Sequence, residues 1–197
     1  MHPFSLHPFS LSYYECPHFP PIFSLPPSPL LRLWQGKNKE QLLRNSCVLG
    51  TEFAVRYLLE QGAAKDAGDE KVWTPLILGS YRGHLPVVRE LIRAGANVNL
   101  AMNDGATPAY VASQNGHTDV LALLLENGAD VNLAVNDGRT PAHIASQSGY
   151  TDVLAILQEK GADVNASSNE SEHEFHVALL EPGHSRAYVV CTTFPLS

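Results

Sequence analysis

The chain has 197 residues, of which 44% are hydrophobic and 17% are charged, and its formal net charge is -7. This composition is sufficient for a buried core, and the absence of a basic stripe in the sequence argues against a nucleic-acid partner. The three cysteines show no C-x-x-C spacing, and no apolar run approaches the roughly 18 residues that span a bilayer, so we expect an intracellular protein, cytoplasmic or nuclear, with no membrane segment.

Residues 1–35 differ in composition from everything that follows. The segment His-Pro-Phe-Ser-Leu occurs at 2–6 and again at 7–11, and prolines recur from residue 17 onwards. Because proline fixes φ and donates no backbone hydrogen bond, we expect a disordered or polyproline-like extension. Its aromatic residues leave open a role as a linear recognition motif. A metal site at Cys16 and His18 is disfavoured, since nothing in such a segment fixes the ligand geometry.

Residues 38–70 contain a weaker copy of a unit that is clearer downstream. Gly50 lies 33 residues before the matching glycine of the next copy, but Gln41 stands where the later copies have a helix-capping threonine. A terminal repeat has only one neighbour, so such a loss is expected at the end of an array. Cys47 occupies a small-residue position, and we predict that it packs in the core rather than acting as a nucleophile.

Three regular copies of the unit follow over residues 71–169. In each copy Thr-Pro opens a first helix, because the threonine hydroxyl can cap the helix and proline is tolerated at its first position. A glycine nine residues later suits the left-handed turn that ends this helix, and apolar residues at i, i+1, i+4 and i+5 then predict a second helix. The copies cover 71–103, 104–136 and 137–169, the threonines are Thr74, Thr107 and Thr140, and the glycines are Gly83, Gly116 and Gly149.

The ends of the second helices also repeat. Thr118 and Thr151 are suited to cap two of these helices, and Gly-Ala ends each one. Asn-Asp-Gly follows at 103–105 and 136–138, and such turns between extended residues favour a β-hairpin. The 33-residue period is typical of a solenoid, in which helix pairs stack on their neighbours.

The run from 105 to 132 resembles the ankyrin repeat family. It contains Gly-x-Thr-Pro, then Gly-His, then Gly-Ala-Asp-Val-Asn in the order and spacing of that family, although the family's histidine after Thr-Pro is present only as His143. The resemblance implies an all-α solenoid, an ankyrin repeat array over residues 36–169. Its helix-turn-helix pairs, about four in number, would be joined by β-hairpin fingers.

Residues 170–197 align less well with the unit. A step of 33 residues from His143 leads to His176, so a first helix from about 173 to 180 would begin a decayed or truncated fifth repeat. The last residues, from Ala187 onwards, are expected to dock as a short strand or helix, or to fray.

No catalytic motif stands out in the sequence, which contains no phosphate-binding glycine loop, nucleophile elbow or zinc-protease helix. His84, His117 and His143 are placed by the repeat, and the pair His173 and His176 has no third ligand at a fixed spacing. The sequence therefore predicts a protein that is not an enzyme and that takes no metal, no cofactor and no small-molecule substrate.

Specificity in a repeat protein is carried by the positions that vary between copies, because the repeated ones cap, turn and pack. Resemblance to ankyrin repeats places the variable positions on a concave face, formed by the finger tips and the first helices. Trp73, Tyr81, Arg82 and Arg139 are the predicted anchors, since large planar or forked side chains contribute most at interfaces. The complete predicted protein-binding set is Glu70, Lys71, Trp73, Tyr81, Arg82, Asn103, Asp104, Ala106, Gln114, Asn115, Asn136, Asp137, Arg139, Gln147 and Ser148.

These features support three hypotheses of different class. The main one is a non-catalytic scaffold that binds an unknown protein partner through the concave face, although Trp73 has the alternative of packing against the preceding finger. The second is a targeting or regulatory subunit of an enzyme complex such as a ubiquitin ligase or phosphatase, for which residues 2–11 are the candidate docking motif. The third is a fragment of a longer ankyrin protein, or a chain with mistranslated ends, since the repeat character stops before Lys39 and after Asn165.

Overall fold

The computed structural model describes residues 38–163 and the backbone of two strands, and the extension predicted for 1–35 lies outside the described residues. The helices are α1 (Lys39–Leu49), α2 (Glu52–Glu60), α3 (Pro75–Arg82), α4 (Leu85–Arg93), α5 (Pro108–Gln114), α6 (Thr118–Glu126), α7 (Pro141–Ser148) and α8 (Thr151–Glu159). They form four successive helix-turn-helix pairs, and each helix contacts its counterpart in the next pair. None of these helices has the length and apolar character needed to cross a bilayer.

The threonine caps predicted for the three regular first helices are confirmed. The side chain of each threonine accepts a hydrogen bond from the amide three residues later, as Thr74 Oγ1 does from Ile77 N at 3.2 Å. In α7 the cap is reciprocal, because His143 Nδ1 also accepts from the Thr140 amide at 3.2 Å. The Thr-Pro signal therefore marks the beginning of α3, α5 and α7 correctly.

The first copy begins its helix differently. Proline opens α3 at residue 75, and a step back of 33 residues leads to Leu42, yet α1 already starts at Lys39. Asn38 caps it, since its side-chain oxygen accepts from the Glu40 amide at 3.0 Å. Cys47 is fully buried in this helix, and burial raises the pKa of its thiol to about 12. The residue is thus held as a neutral, packed thiol, as predicted.

The caps predicted for the second helices are wrong. Thr118 and Thr151 are the first residues of α6 and α8, and the N-cap positions belong to His117 and Tyr150, which make no side-chain capping bond. The reason is that the ring of His117 extends across to the preceding repeat, where Nε2 lies 3.0 Å from the carbonyl oxygen of Tyr81. These side chains hold neighbouring repeats together instead of capping their own helices.

The same contact joins the first two repeats. His84 Nε2 lies 3.1 Å from the Val48 carbonyl oxygen, and its ring covers Gly50 as the ring of His117 covers Gly83. This packing accounts for the periodic histidines. Among the residues that the structure describes, no cluster of three or more His, Cys, Asp or Glu side chains is placed to hold a metal ion.

The links between repeats are tight turns, and residues 38–163 contain no β-strand, so the fingers lack the paired strands predicted for them. In the turn between the second and third repeats, Met102 N donates a hydrogen bond to the Ala106 carbonyl oxygen at 2.9 Å. Consecutive turns are tied together by asparagines: Asn103 Nδ2 donates to the Glu70 oxygen at 3.0 Å, and Asn136 Nδ2 donates to the Asn103 oxygen at 3.1 Å. A backbone bond from Asn136 N to the Asp104 oxygen, at 2.9 Å, adds to these side-chain bonds between consecutive turns.

The described part of 170–197 is a pair of strands, where a further first helix was expected. β1 (Glu174–Val177) and β2 (Val189–Thr192) pair antiparallel, with Glu174 opposite Thr192. The expectation of a helix at 173–180 is therefore wrong over β1. Both strands are rich in the β-branched and aromatic residues that favour a pleated backbone, and this preference outweighs the weak repeat register.

Val72 is a non-glycine residue in the left-handed region, with φ of 62°. The same position of the next two repeats is Gly105 and Gly138, whose φ values are 88° and 87°. A β-branched residue there is strained, because its Cβ crowds the backbone. The strain lies in the turn directly before Trp73.

We expect Val72→Gly to raise the free energy of unfolding by about 1 kcal/mol, because relief of the strain exceeds the entropy cost of glycine. Urea denaturation of the full chain measures the change. Val72→Ala is the matched control, since it removes the same methyl groups but keeps a Cβ at positive φ. Equal stability of the two variants would show that the turn is not strained.

Candidate functional site

Two aromatic side chains project side by side from the first-helix side of the second repeat. The rings of Trp73 and Tyr81 meet edge to face, with centroids 5.7 Å apart and planes at 86°. The Arg82 guanidinium carbon lies 5.5 Å from the centroid of the Tyr81 ring. Trp73 is half-buried, whereas Tyr81 is 39% exposed. We call this pair the aromatic ridge.

The turn before Trp73 fixes the position of this ridge. Asp69 Oδ1 accepts hydrogen bonds from the amides of Lys71 and Trp73, both at 3.0 Å. The bond from the Trp73 amide is the main reason why the pKa of Asp69 lies below its usual value. The indole packs on a small cluster that includes Ile77 and Tyr110, so part of Trp73 serves packing and part remains available.

A groove of about 440 Å³ lies on one side of the ridge, between the first and second repeats. We call it the first groove. It is lined by Gln41, Arg44, Asn45, Val48, Asp69, Trp73, Leu78, Tyr81 and Arg82. Arg44 is held at its wall, because the guanidinium donates to the Ala67 oxygen at 3.2 Å and to Gln41 Oε1 at 2.6 Å.

A second groove, of about 380 Å³, lies on the other side of the ridge. It is lined by Trp73, Tyr81, Met102, Asp104, Ala106, Tyr110, Val111, Gln114, Val135, Asn136, Asp137 and Arg139. We call the side of the stack that carries both grooves the groove face. Since both grooves share Trp73 and Tyr81, the ridge is the boundary that a ligand in either groove would contact.

Arg139 is held in a fixed orientation at the far wall of the second groove. Its Nη2 lies 2.6 Å from Asp137 Oδ2, and its Nε donates to the same oxygen at 2.8 Å. The Asp137 Oδ1 atom accepts from the Arg139 amide at 3.0 Å. The bond from the Arg139 side chain is the main cause that lowers the pKa of Asp137. These two side chains form part of the wall of the groove, and they are held in place before any partner binds.

The floor of the second groove is apolar. Tyr110, Val111 and Val135 are buried there beside Ala106, which is only 5% exposed, and Ile144 belongs to the same buried cluster. Burial is the largest cause that raises the pKa of the Tyr110 phenol. Ala106, which was predicted as a contact residue, forms part of this floor.

The predicted residues separate into those that line a groove and those that do not. Nine line one of the two grooves: Trp73, Tyr81, Arg82, Asp104, Ala106, Gln114, Asn136, Asp137 and Arg139. Six do not: Glu70, Lys71, Asn103, Asn115, Gln147 and Ser148. Two of these six use their side chains in internal hydrogen bonds, because Asn103 Nδ2 ties two turns together and Asn115 Nδ2 donates to the Val111 oxygen at 2.8 Å.

Sequence reasoning missed the wall of the first groove that α1 provides. Arg44, Asn45 and Val48 occupy the positions 33 residues before Ile77, Leu78 and Tyr81. The period could have pointed to Val48, which matches the predicted Tyr81, but not to Arg44 or Asn45, whose counterparts Ile77 and Leu78 were not predicted to bind. Met102 and Tyr110 were missed because only the folded chain shows that they flank the ridge.

The second-helix side uses its charged residues for internal contacts. The Glu90 side chain is only 10% exposed and accepts from Arg56 Nε at 3.0 Å and from Arg93 Nη1 at 2.7 Å. The bond from Arg56 is the main cause that lowers the pKa of Glu90. Because Arg56 belongs to α2 and Glu90 to α4, this network joins the first two repeats rather than forming a free charged site.

Comparison with known families agrees with this arrangement. A family model described as ankyrin repeats (3 copies) matches residues 30–102 and again residues 80–168. The two matches together cover more than half of the chain and include every helix from α1 to α8. They also include both grooves, so the candidate site lies within the matched repeats.

Proposed function

The chain belongs to the ankyrin repeat family, and on that premise we propose that it is a non-catalytic module that binds a partner protein through its groove face. Ankyrin repeats are generally protein–protein interaction modules and are typically non-catalytic. The observation that supports the groove face is the aromatic ridge, exposed between two grooves of about 440 Å³ and 380 Å³.

The physical support comes from the kinds of side chain at the ridge and the walls. Tryptophan, tyrosine and arginine contribute most per residue to protein interfaces, because they bury large areas and lose little conformational freedom. The Trp73 indole already packs against Tyr81 and the cluster around Ile77, and the Arg139 side chain is already held by Asp137. Binding therefore costs less side-chain entropy than it would for mobile residues. In this proposal the site is ordered before binding and forms a stoichiometric complex with its partner.

We place the protein inside the cell, which the buried free thiol of Cys47 supports, since reduced thiols are usual there. The alternative of a targeting subunit depends on residues 2–11 as a docking motif, and these lie outside the described residues. We therefore propose direct partner binding as the function of the groove face.

The combined variant Trp73→Ala, Tyr81→Ala and Arg139→Ala should capture its partner at least tenfold more weakly than the wild-type chain, a loss of about 1.4 kcal/mol or more. Affinity capture with quantitative mass spectrometry identifies the partner and measures the loss. The control is Phe53→Ala combined with Arg89→Ala, because Phe53 is 78% exposed and neither residue lines a groove of the ridge. Equal capture by the wild-type chain and by both variants would show that the groove face does not bind the partner.

A further inference from the structure

The groove face carries two charged side chains without an ionic partner, one on each side of the aromatic ridge. Arg82 lies against the Tyr81 ring, and among the described residues no carboxylate forms an ion pair with it. The Asp104 carboxylate accepts a turn bond from the Ala106 amide, at 3.0 Å, and no described cation is paired with it. Arg82 lines the first groove and Asp104 lines the second.

The other charged residues in the grooves add to the difference in net charge between the first groove and the second. The first groove is lined by two positive side chains, Arg44 and Arg82, and by one carboxylate, Asp69, whose pKa Arg44 helps to lower. In the second groove the charge of Asp137 is matched by that of Arg139. The lining of the first groove therefore has an excess of positive charge, and that of the second has an excess of negative charge.

We propose that the groove face binds an extended peptide segment with an acidic group in the first groove, an apolar side chain on the ridge and a basic group in the second groove. This inference depends on the proposed function and specifies the ligand of the same site. The acidic group, a carboxylate, faces Arg82 and Arg44. The basic group, a lysine or an arginine, faces Asp104.

The length of the segment follows from the packing of the repeats. Neighbouring helices lie about 8–10 Å apart, and an extended chain advances about 3.3 Å per residue. Charges that are separated by one or two repeats are thus matched by groups about three to six residues apart in the peptide. Exposed charge pairs contribute little energy each, so their main effect is to select the charge pattern and direction of the segment.

The test uses three fluorescein-labelled synthetic peptides of equal length with the same Leu-Pro-Leu centre. One peptide has two glutamates at one end and two lysines at the other, one has glutamates at both ends, and one has lysines at both ends. Fluorescence anisotropy measures their binding to the full chain. The mixed peptide should bind at least fivefold more tightly than the other two.

Charge reversal changes the preferred peptide in a defined way. Arg82→Glu should favour the peptide with two basic ends, and Asp104→Lys should favour the peptide with two acidic ends. The double variant restores the preference for the mixed peptide, which then binds in the opposite direction. Lysine is tolerated at this turn position, because Lys71 already occupies it in the preceding repeat, and circular dichroism confirms that each variant is folded.

The outcomes separate this inference from the proposed function. If the wild-type chain binds the three peptides equally, or binds none of them, the charge pattern is wrong. If the preference is present but unchanged by the reversals, Arg82 and Asp104 do not cause it and the inference is overturned. Partner capture by the wild-type chain and its loss in the ridge variant would still support the groove face in either case.

Discussion

Leu124→Ala should lower the free energy of unfolding by about 2–5 kcal/mol, a large share of the stability of a domain of this size. Leu124 is fully buried in α6, which packs between α4 and α8. The substitution therefore opens a cavity in the third repeat, at a position where this repeat contacts both the second and the fourth repeat. In a stacked array each repeat is stabilised by its neighbours, so damage at this position weakens two interfaces. Urea denaturation of the full chain measures the loss.

Leu133→Ala is the matched control for this prediction. It removes the same atoms, but Leu133 lies in the link between the third and fourth repeats and is 37% exposed. A substitution at such a site should cost less than about 1 kcal/mol. If both variants lost the same stability, the helix pairs would not depend on the buried contacts between repeats.

Gly83→Ala should lower the free energy of unfolding by roughly 2–5 kcal/mol. Gly83 has φ of 71°, and a Cβ built there would lie 2.5 Å from Nδ1 of His117. Left-handed backbone costs an alanine about 1–2 kcal/mol, and displacement of the ring adds an overpacking cost of about 1–3 kcal/mol. The ring would also lose its 3.0 Å bond to the Tyr81 oxygen. Thermal and urea denaturation measure the combined effect.

Gly128→Ala separates the two causes. Gly128 has φ of 86°, but no atom of the described residues lies within 4 Å of the Cβ position. This variant should show only the backbone cost of about 1–2 kcal/mol. A loss as small in Gly83→Ala as in Gly128→Ala would indicate that the His117 ring does not hold the second and third repeats together.

The repeat architecture could be predicted from the sequence because its signals are local. Thr74 and Thr107 cap helices through bonds within four residues, and Gly83 takes the left-handed conformation that its position demands. Residues that recur every 33 positions also indicate which helices pack together, because equivalent helices of successive repeats are neighbours. For this reason the helix pairs, their order and much of the groove lining follow from the residues alone.

The features that could not be predicted depend on contacts between repeats. The ring of His117 bonds to a carbonyl in the preceding repeat instead of capping its own helix, and the turns are joined through Asn103 and Asn136 rather than by hairpin strands. The strain at Val72 is apparent only from the backbone angle. The strand at Glu174–Val177 reflects pairing with a distant segment, which no periodic signal encodes.

The central claim, that the groove face is the binding surface, is tested most directly by hydrogen–deuterium exchange of the full chain with and without the captured partner. Bound partner should slow exchange in the turns at 69–73, 102–106 and 135–139, because these segments form the walls of the grooves. Slowing confined to the second helices, such as Leu85–Arg93 and Thr118–Glu126, would contradict the account and place the partner on the opposite side of the stack.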